Sequence, residues 1–102
     1  LSTISGSGPA YVFYLIEELT RAAVALGFSA AQARELVTGT FLGSVELLAA
    51  SGTDPAELRR QVTSPNGTTE RAIAVLETAD LSGLFSRATA AALARANELA
   101  AL

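Results

Sequence analysis

The segment Val-Thr-Ser-Pro-Asn-Gly-Thr-Thr at residues 62–69 contains residue types that could bind a small anion. Its Pro-Asn-Gly centre favours a turn, and both Asn and Gly tolerate positive φ. Gly67, Thr68 and Thr69 lead directly into a predicted helix, whose first amides have no acceptor within the helix and lie at the positive end of its dipole. Such a helix end binds a carboxylate or phosphate without a charged side chain. We therefore predict a carboxylate-binding loop, with an ordinary capped turn as the alternative.

The rest of the sequence offers few groups for catalysis. There is no His, Cys or Lys, so no nucleophile–base pair can be assembled, and we expect no catalytic side chain of the chain's own. Glu17 and Glu18 are adjacent and project in different directions from a helix, which makes a paired-carboxylate acid and base unsuitable here. No cluster of carboxylates suggests a metal site, and we expect none.

Composition limits the class of protein further. The 102 residues suit one domain, and 50% are hydrophobic while only 17% are charged, which predicts that part of the surface is covered by a partner. The net charge is −3, and the seven Arg are scattered among ten acidic residues, so we expect no nucleic-acid partner. The uncharged run at residues 1–16 is too short and polar to span a bilayer and lacks a basic start, so neither a membrane span nor a signal peptide is expected. The absence of Met predicts a fragment or a processed product.

The pattern of apolar residues predicts an all-α chain with five helices and no strand. The first helix, from Ala10 to about Leu26, is apolar on nearly every side, which predicts burial on every side. It should carry an i,i+4 ion pair between Glu17 and Arg21 and end at Gly27 as the C′ residue.

The other four helices have recognisable ends. Ser29 to Gln32 form a capping box that opens the second helix, which runs to about Ala50 and ends at Gly52. Gly39 and Gly43 lie on one face of this helix, and we expect another helix to approach closely there because Gly inside a helix costs about 1 kcal/mol relative to Ala. The third predicted helix begins with an Asp-Pro pair and covers residues 54–62. The fourth runs from about Thr69 to Thr78. The fifth begins after the N-cap Asp80 and continues to Leu99.

Two motifs taken together resemble a known family. The sequence SGSGPAYVFYLIEEL at residues 5–19, followed about 43 residues later by VTSPNGTT, is similar to the C-terminal domain of Δ1-pyrroline-5-carboxylate reductase. The resemblance extends over essentially the whole chain, including the short capped helix at residues 54–62 and the last helix. Asn66 stands where the family usually has a second Gly, and Asn can also hold a left-handed conformation.

The resemblance implies a fold, a partner and a reaction. The chain would be the helical C-terminal domain, residues 1–102, of a cytoplasmic enzyme of proline biosynthesis, a five-helix bundle that interlocks with a second copy in a homodimer; some members form a decamer of five dimers. NADPH or NADH would be bound mainly by an N-terminal Rossmann domain that lies outside this chain. Hydride transfer to L-1-pyrroline-5-carboxylate would give L-proline, so the fragment alone should be inactive.

The resemblance also implies roles for the loop residues. The amides of Gly67, Thr68 and Thr69 would hold the substrate carboxylate, the Thr69 hydroxyl would reach the ring nitrogen, and Ser64 would line the same pocket. Two alternatives remain open: a purely structural helical dimerisation module without a ligand, and the helical domain of another Rossmann dehydrogenase that acts on a different small acid.

Overall fold

The computed structural model describes residues 6–102, which form five α-helices and no strand. The helices are α1 (Gly8–Ala25), α2 (Ala30–Ser51), α3 (Pro55–Gln61), α4 (Thr68–Glu77) and α5 (Leu81–Ala100). The prediction of an all-α chain with five helices is confirmed for these residues. The opening loop predicted before Pro9 falls largely on residues 1–5, outside the described part, and Pro9 lies in the first turn of α1 as expected.

The chain divides into two compact units, one formed by Gly8–Pro55 and the other containing Ala56–Leu102. In the first unit α1 and α2 pack against each other as a helical hairpin. Ala33 and Val37 on α2 are the buried residues of the described chain, and both belong to this hairpin. Two helices packed on each other can cover only one side of each, so the all-round burial predicted for α1 does not occur among residues 6–102. Phe13 is 69% exposed and Tyr14 is 61% exposed.

The turn between α1 and α2 is built from local hydrogen bonds. Gly27 has a φ of 114°, its amide donates to the carbonyl of Val24 at 3.0 Å, and the amide of Phe28 donates to the carbonyl of Ala23 at 3.4 Å. This pattern is a Schellman motif, with Gly27 at C′ as predicted. The capping box that opens α2 is also confirmed, because the amide of Gln32 donates to Oγ of Ser29 at 3.1 Å and the Ser29 amide donates to Oε1 of Gln32 at 3.0 Å.

Two expectations for this hairpin differ from the structure. Arg21 forms its ion pair with Glu18 at 3.1 Å, three residues away, so the predicted pair with Glu17 is wrong. Both spacings place residues on neighbouring positions of a helix surface, and the exposed side chains choose between them at little energetic difference. No other element of the described chain approaches Gly39 or Gly43 either, since nothing lies within 4 Å of a β-carbon built at each position.

The second unit contains α3, α4 and α5, and none of its side chains is buried. Asp80 is the N-cap of α5, as predicted, and its carboxylate accepts a hydrogen bond from the Gly83 amide at 3.2 Å. Several large apolar side chains of this unit are exposed, including Val75 at 69% and Leu93 at 53%. No single helix among residues 6–102 is both long and apolar enough to span a membrane, although α2 and α3 taken together pass the same test of length and composition.

Candidate functional site

The loop between α3 and α4 begins with hydrogen bonds to the end of α3. The Thr63 hydroxyl donates to the carbonyl of Arg59, and the Thr63 amide donates to the carbonyl of Arg60 at 3.2 Å. These two bonds add donors to carbonyls in the last turn of α3, where the helix itself supplies few. They also fix the position at which the chain leaves α3 for the loop.

The centre of the loop is a tight turn. The amide of Gly67 donates to the carbonyl of Ser64 at 3.1 Å, which closes a β-turn with Pro65 and Asn66 as its central residues. Asn66 has a φ of 62°, and Pro65 is held near −65° by its ring, so the turn is of type II. Pro at the first central position and Asn at the second suit this turn type.

The backbone of Gly67 does not use the positive φ that glycine tolerates. Its φ is −90° and its ψ is −178°, which is an extended conformation that any residue can adopt. The positive φ of the Asn-Gly pair belongs to Asn66 instead. Gly67 is the N-cap of α4, and a β-carbon placed on it would lie 3.2 Å from the carbonyl oxygen of Ser64 and 3.4 Å from the Ser64 β-carbon. The site therefore favours glycine because the turn is tight, and positive φ plays no part at this residue.

The first turn of α4 leaves backbone donors free. Among the hydrogen bonds of the described chain, none involves the amides of Thr68, Thr69 or Glu70, whereas the Arg71 amide already donates to the carbonyl of Gly67. The Gly67 amide is used by the turn, so the three-amide cradle that the family resemblance implies is reduced here to the amides that follow it. The free donors lie at the positive end of the α4 dipole and can hold an anion.

The hydroxyl groups of the loop separate into two sets. Thr63 is bonded to α3, whereas the side chains of Ser64, Thr68 and Thr69 are exposed and make no hydrogen bond within the described part of the chain. The residues that the resemblance selected for substrate binding, Ser64, Gly67, Thr68 and Thr69, all lie in this loop or in the first turn of α4. Each free hydroxyl can donate to or accept from a ligand.

Glu70 was not anticipated from the sequence, and it holds the loop to the helix. Its Oε1 accepts a hydrogen bond from the Asn66 amide at 3.0 Å. A Glu at the third helical position after an N-cap is the signal of a capping box, and here its carboxylate reaches one residue further back than the N-cap. This bond satisfies the amide of the left-handed residue at the centre of the loop.

A shallow groove of about 370 Å³ lies beside the loop and is lined by Arg59, Arg60, Thr63, Pro65 and Glu70. Arg60 pairs with Glu57 at 2.8 Å, and the ion pairs found among the described residues do not include Arg59 or Glu70. No group of three or more acidic side chains in residues 6–102 could hold a metal ion. The groove therefore places one arginine without an ion pair among the described residues, Arg59, and one carboxylate, Glu70, beside the loop.

Comparison with solved structures finds the same fold in two reductases. A pyrroline-5-carboxylate reductase from Coxiella burnetii superposes with a TM-score of 0.93 at 45% identity, over 96% of this chain and 36% of that one. The pyrroline carboxylate reductase of Plasmodium falciparum, solved with NADP bound, superposes with a TM-score of 0.87 at 35% identity, over 92% of this chain and 36% of that one.

Sequence comparison gives the same family. The chain is 45% identical over 100 residues to the pyrroline-5-carboxylate reductase of Pseudomonas aeruginosa, matching 98% of this chain and 37% of the relative. It is 38% identical over 99 residues to the enzyme of the same name from Pisum sativum, matching 97% of this chain and 36% of the relative. The chain thus spans somewhat more than a third of these relatives. Because the family profile described as pyrroline-5-carboxylate reductase dimerisation matches residues 1–99, the chain belongs to the pyrroline-5-carboxylate reductase dimerisation family.

Proposed function

We propose that this chain is the C-terminal, substrate-binding and dimer-forming part of a cytoplasmic reductase that converts L-1-pyrroline-5-carboxylate to L-proline with NADPH or NADH in proline biosynthesis. The observation that carries the proposal is the loop at residues 62–69, where free amides and hydroxyls meet at the N-terminus of α4. Pyrroline-5-carboxylate presents a carboxylate and an imine nitrogen a few bonds apart, and this set of uncharged donors can bind both groups.

The loop would orient the substrate. The amides of Thr68 and Thr69 hold the carboxylate, and the substrate pocket also includes Ser64 and Gly67. The hydroxyl of Thr69 hydrogen-bonds the ring nitrogen and stabilises the amine that develops as the imine carbon is reduced. The imine takes up a hydride, which the nicotinamide cofactor would supply when it is bound, and a proton, which solvent would supply at the ring nitrogen. No side chain of this chain therefore has to act as a general base.

The residues of this chain do not fit a dinucleotide site of their own. Residues 6–102 form no strand, whereas the Gly-rich turn that binds a dinucleotide pyrophosphate follows a strand. We therefore assign NADPH or NADH mainly to an N-terminal Rossmann domain outside this chain, in keeping with the share of the relatives that the chain spans. No step of the reaction is assigned to cofactor contacts within the described residues.

A second copy of the chain is the proposed partner, and five such dimers would form its largest assembly. The apolar residues exposed on α1 and the open face of α2 at Gly39 and Gly43 support this proposal. An obligate interface of this kind buries more than roughly 2,000 Å² in total. Burial on this scale would cover the side of α1 that α2 leaves exposed.

The proposed function is tested with the full-length protein that carries this chain. It should oxidise NADPH or NADH only in the presence of pyrroline-5-carboxylate and release L-proline, whereas residues 1–102 alone should give no turnover. Thr69→Ala should lower kcat/KM by about fivefold to 150-fold, which corresponds to about 1–3 kcal/mol for a ligand group that loses its partner. Thr69→Ser keeps the hydroxyl and should retain most of the activity.

The same assay separates an enzyme from a structural module. A module without a ligand would show lower thermal stability in Thr69→Ala and unchanged kinetics per folded molecule. Turnover by residues 1–102 alone would contradict the assignment of the cofactor to another domain. If the full-length protein reduces a different cyclic imine and does not reduce pyrroline-5-carboxylate, the proposed substrate is wrong.

A further inference from the structure

The carboxylate of Glu70 is committed to the loop at residues 62–69. Its Oε1 accepts from the Asn66 amide at 3.0 Å, and Asn66 is held in a left-handed conformation with a φ of 62°. The arginines of the adjacent groove do not compete for this carboxylate, because Arg60 pairs with Glu57 and no ion pair of the described chain involves Glu70. Glu70 therefore links the first turn of α4 to the centre of the loop.

This carboxylate also lies at the helix end that would bind the substrate. Glu70 occupies the third position of α4, directly after the free amides of Thr68 and Thr69. A negative charge in the first turn stabilises a helix, but it also reduces the positive potential that the helix end offers to a second anion. Glu70 thus has two effects of opposite sign: its hydrogen bond organises the loop, and its charge opposes a bound carboxylate.

We propose that Glu70 is a positioning residue that sets the affinity of the loop for the substrate carboxylate, by holding the Asn66 amide while its own charge weakens carboxylate binding. The proposal rests on the proposed function. It predicts that removing the charge of Glu70 strengthens substrate binding, whereas removing its hydrogen bond to Asn66 weakens substrate binding.

Two substitutions in the full-length enzyme separate these effects. Glu70→Gln keeps an oxygen that can accept from Asn66 and removes the charge, so KM for pyrroline-5-carboxylate should fall by about threefold to tenfold with little change in kcat. Glu70→Ala removes both the charge and the acceptor, so its KM should lie about tenfold above that of Glu70→Gln. The inhibition constant of L-proline, which carries the same carboxylate, should follow KM in both variants.

Glu77 provides a matched control because it lies on the same helix, at the end away from the loop. Glu77→Gln and Glu77→Ala remove the same charge and should leave KM within about twofold of the original. A thermal melt of each variant shows that it is folded. A purely structural role for Glu70 would lower the melting temperature of Glu70→Ala and would not lower KM in Glu70→Gln.

The outcomes distinguish this inference from the proposed function. A full-length protein that does not reduce pyrroline-5-carboxylate would refute the proposed function before Glu70 is considered. If the protein is active, an unchanged or raised KM in Glu70→Gln, or equal KM values in the two Glu70 variants, would overturn the role of Glu70 alone.

Discussion

The carboxylate of Asp80 lies in the space that a side chain at Gly83 would need. Asp80 Oδ1 accepts from the Gly83 amide at 3.2 Å, and a β-carbon built on Gly83 would collide with Oδ2 and lie 2.8 Å from Cγ. Asp80 is itself in a left-handed conformation, with a φ of 49°. The start of α5 therefore depends on a pair in which a glycine makes room for the capping side chain.

Gly83→Ala should thus be nearly neutral when Asp80 is present and stabilising when it is absent. With Asp80 present, the new methyl group displaces the capping carboxylate, and the loss of a cap, typically about 1 kcal/mol, offsets the better helix propensity of Ala. In an Asp80→Gly background there is no cap to displace, so Gly83→Ala should stabilise by up to about 1 kcal/mol. Urea unfolding at one fixed protein concentration measures the four proteins of this double-mutant cycle. A coupling energy near zero would show that the two residues do not interact.

Asn66 should tolerate glycine better than any residue with a larger side chain. Its φ of 62° costs an ordinary residue about 1–2 kcal/mol, whereas Gly adopts it freely. Asn66→Ala should therefore destabilise by about 1 kcal/mol and Asn66→Val by more, while Asn66→Gly stays close to the original stability. Asn97, in the last turn of α5, is the matched control, because it has no positive φ and Asn97→Ala should be neutral or slightly stabilising through helix propensity. Equal effects of Ala at the two positions would contradict a conformational requirement at Asn66.

Gly67→Ala should weaken the turn for a steric reason. Its β-carbon would lie 3.2 Å from the Ser64 carbonyl oxygen, so the turn must open by a few tenths of an ångström, which lengthens the hydrogen bond from the Gly67 amide. Gly is also preferred over Ala at an N-cap, so we expect a loss of about 1 kcal/mol together with a higher KM for the substrate. Gly67→Val should be worse. Unchanged stability and KM in both variants would show that the turn at Ser64 can open for a side chain at residue 67 without a loss of free energy.

Dimer formation should make the melting temperature depend on protein concentration. A folded state that exists only as a pair gains stability by mass action, so Tm should rise as the chain is concentrated, and sedimentation at micromolar concentration should give a dimer. Gly43→Leu fills space that is open within the chain but would be covered by a second copy, so it should favour the monomer without reducing helicity in far-UV circular dichroism. A well-folded monomer at micromolar concentration, with a Tm independent of concentration, would contradict the proposed partner.

The parts of the fold that the sequence predicted well depend on residues close together in the chain. The C′ role of Gly27, the capping box at Ser29 and the cap at Asp80 all involve partners within five residues, and the identity of those partners leaves few alternatives. Because helices dominate, these local signals located all five elements to within about two residues.

The sequence could not decide between adjacent residues that could take the same role at a similar free energy. Arg21 could pair with either acidic residue one turn before it, and either member of the Asn-Gly pair could take the positive φ. The sequence also did not show that the Gly67 amide donates to the Ser64 carbonyl and is therefore not free for a ligand, because this depends on how tightly the turn closes. The carboxylate-binding loop was identified as a candidate from residue types and family resemblance, while the role of Glu70 became visible only when its partner, the Asn66 amide, was located.

The short connection between α1 and α2 has a consequence for the kinetics of folding. Only residues 26–29 separate the two helices, and the hydrogen bonds at both helix ends join residues at most five positions apart. Closing such a short loop takes well under a microsecond, so the hairpin can form and dissolve many times before two chains meet by diffusion. Since the hairpin buries little apolar surface by itself, it would become stable only when a second chain binds to its folded form. The rate-limiting step of assembly should therefore be second order in chain concentration.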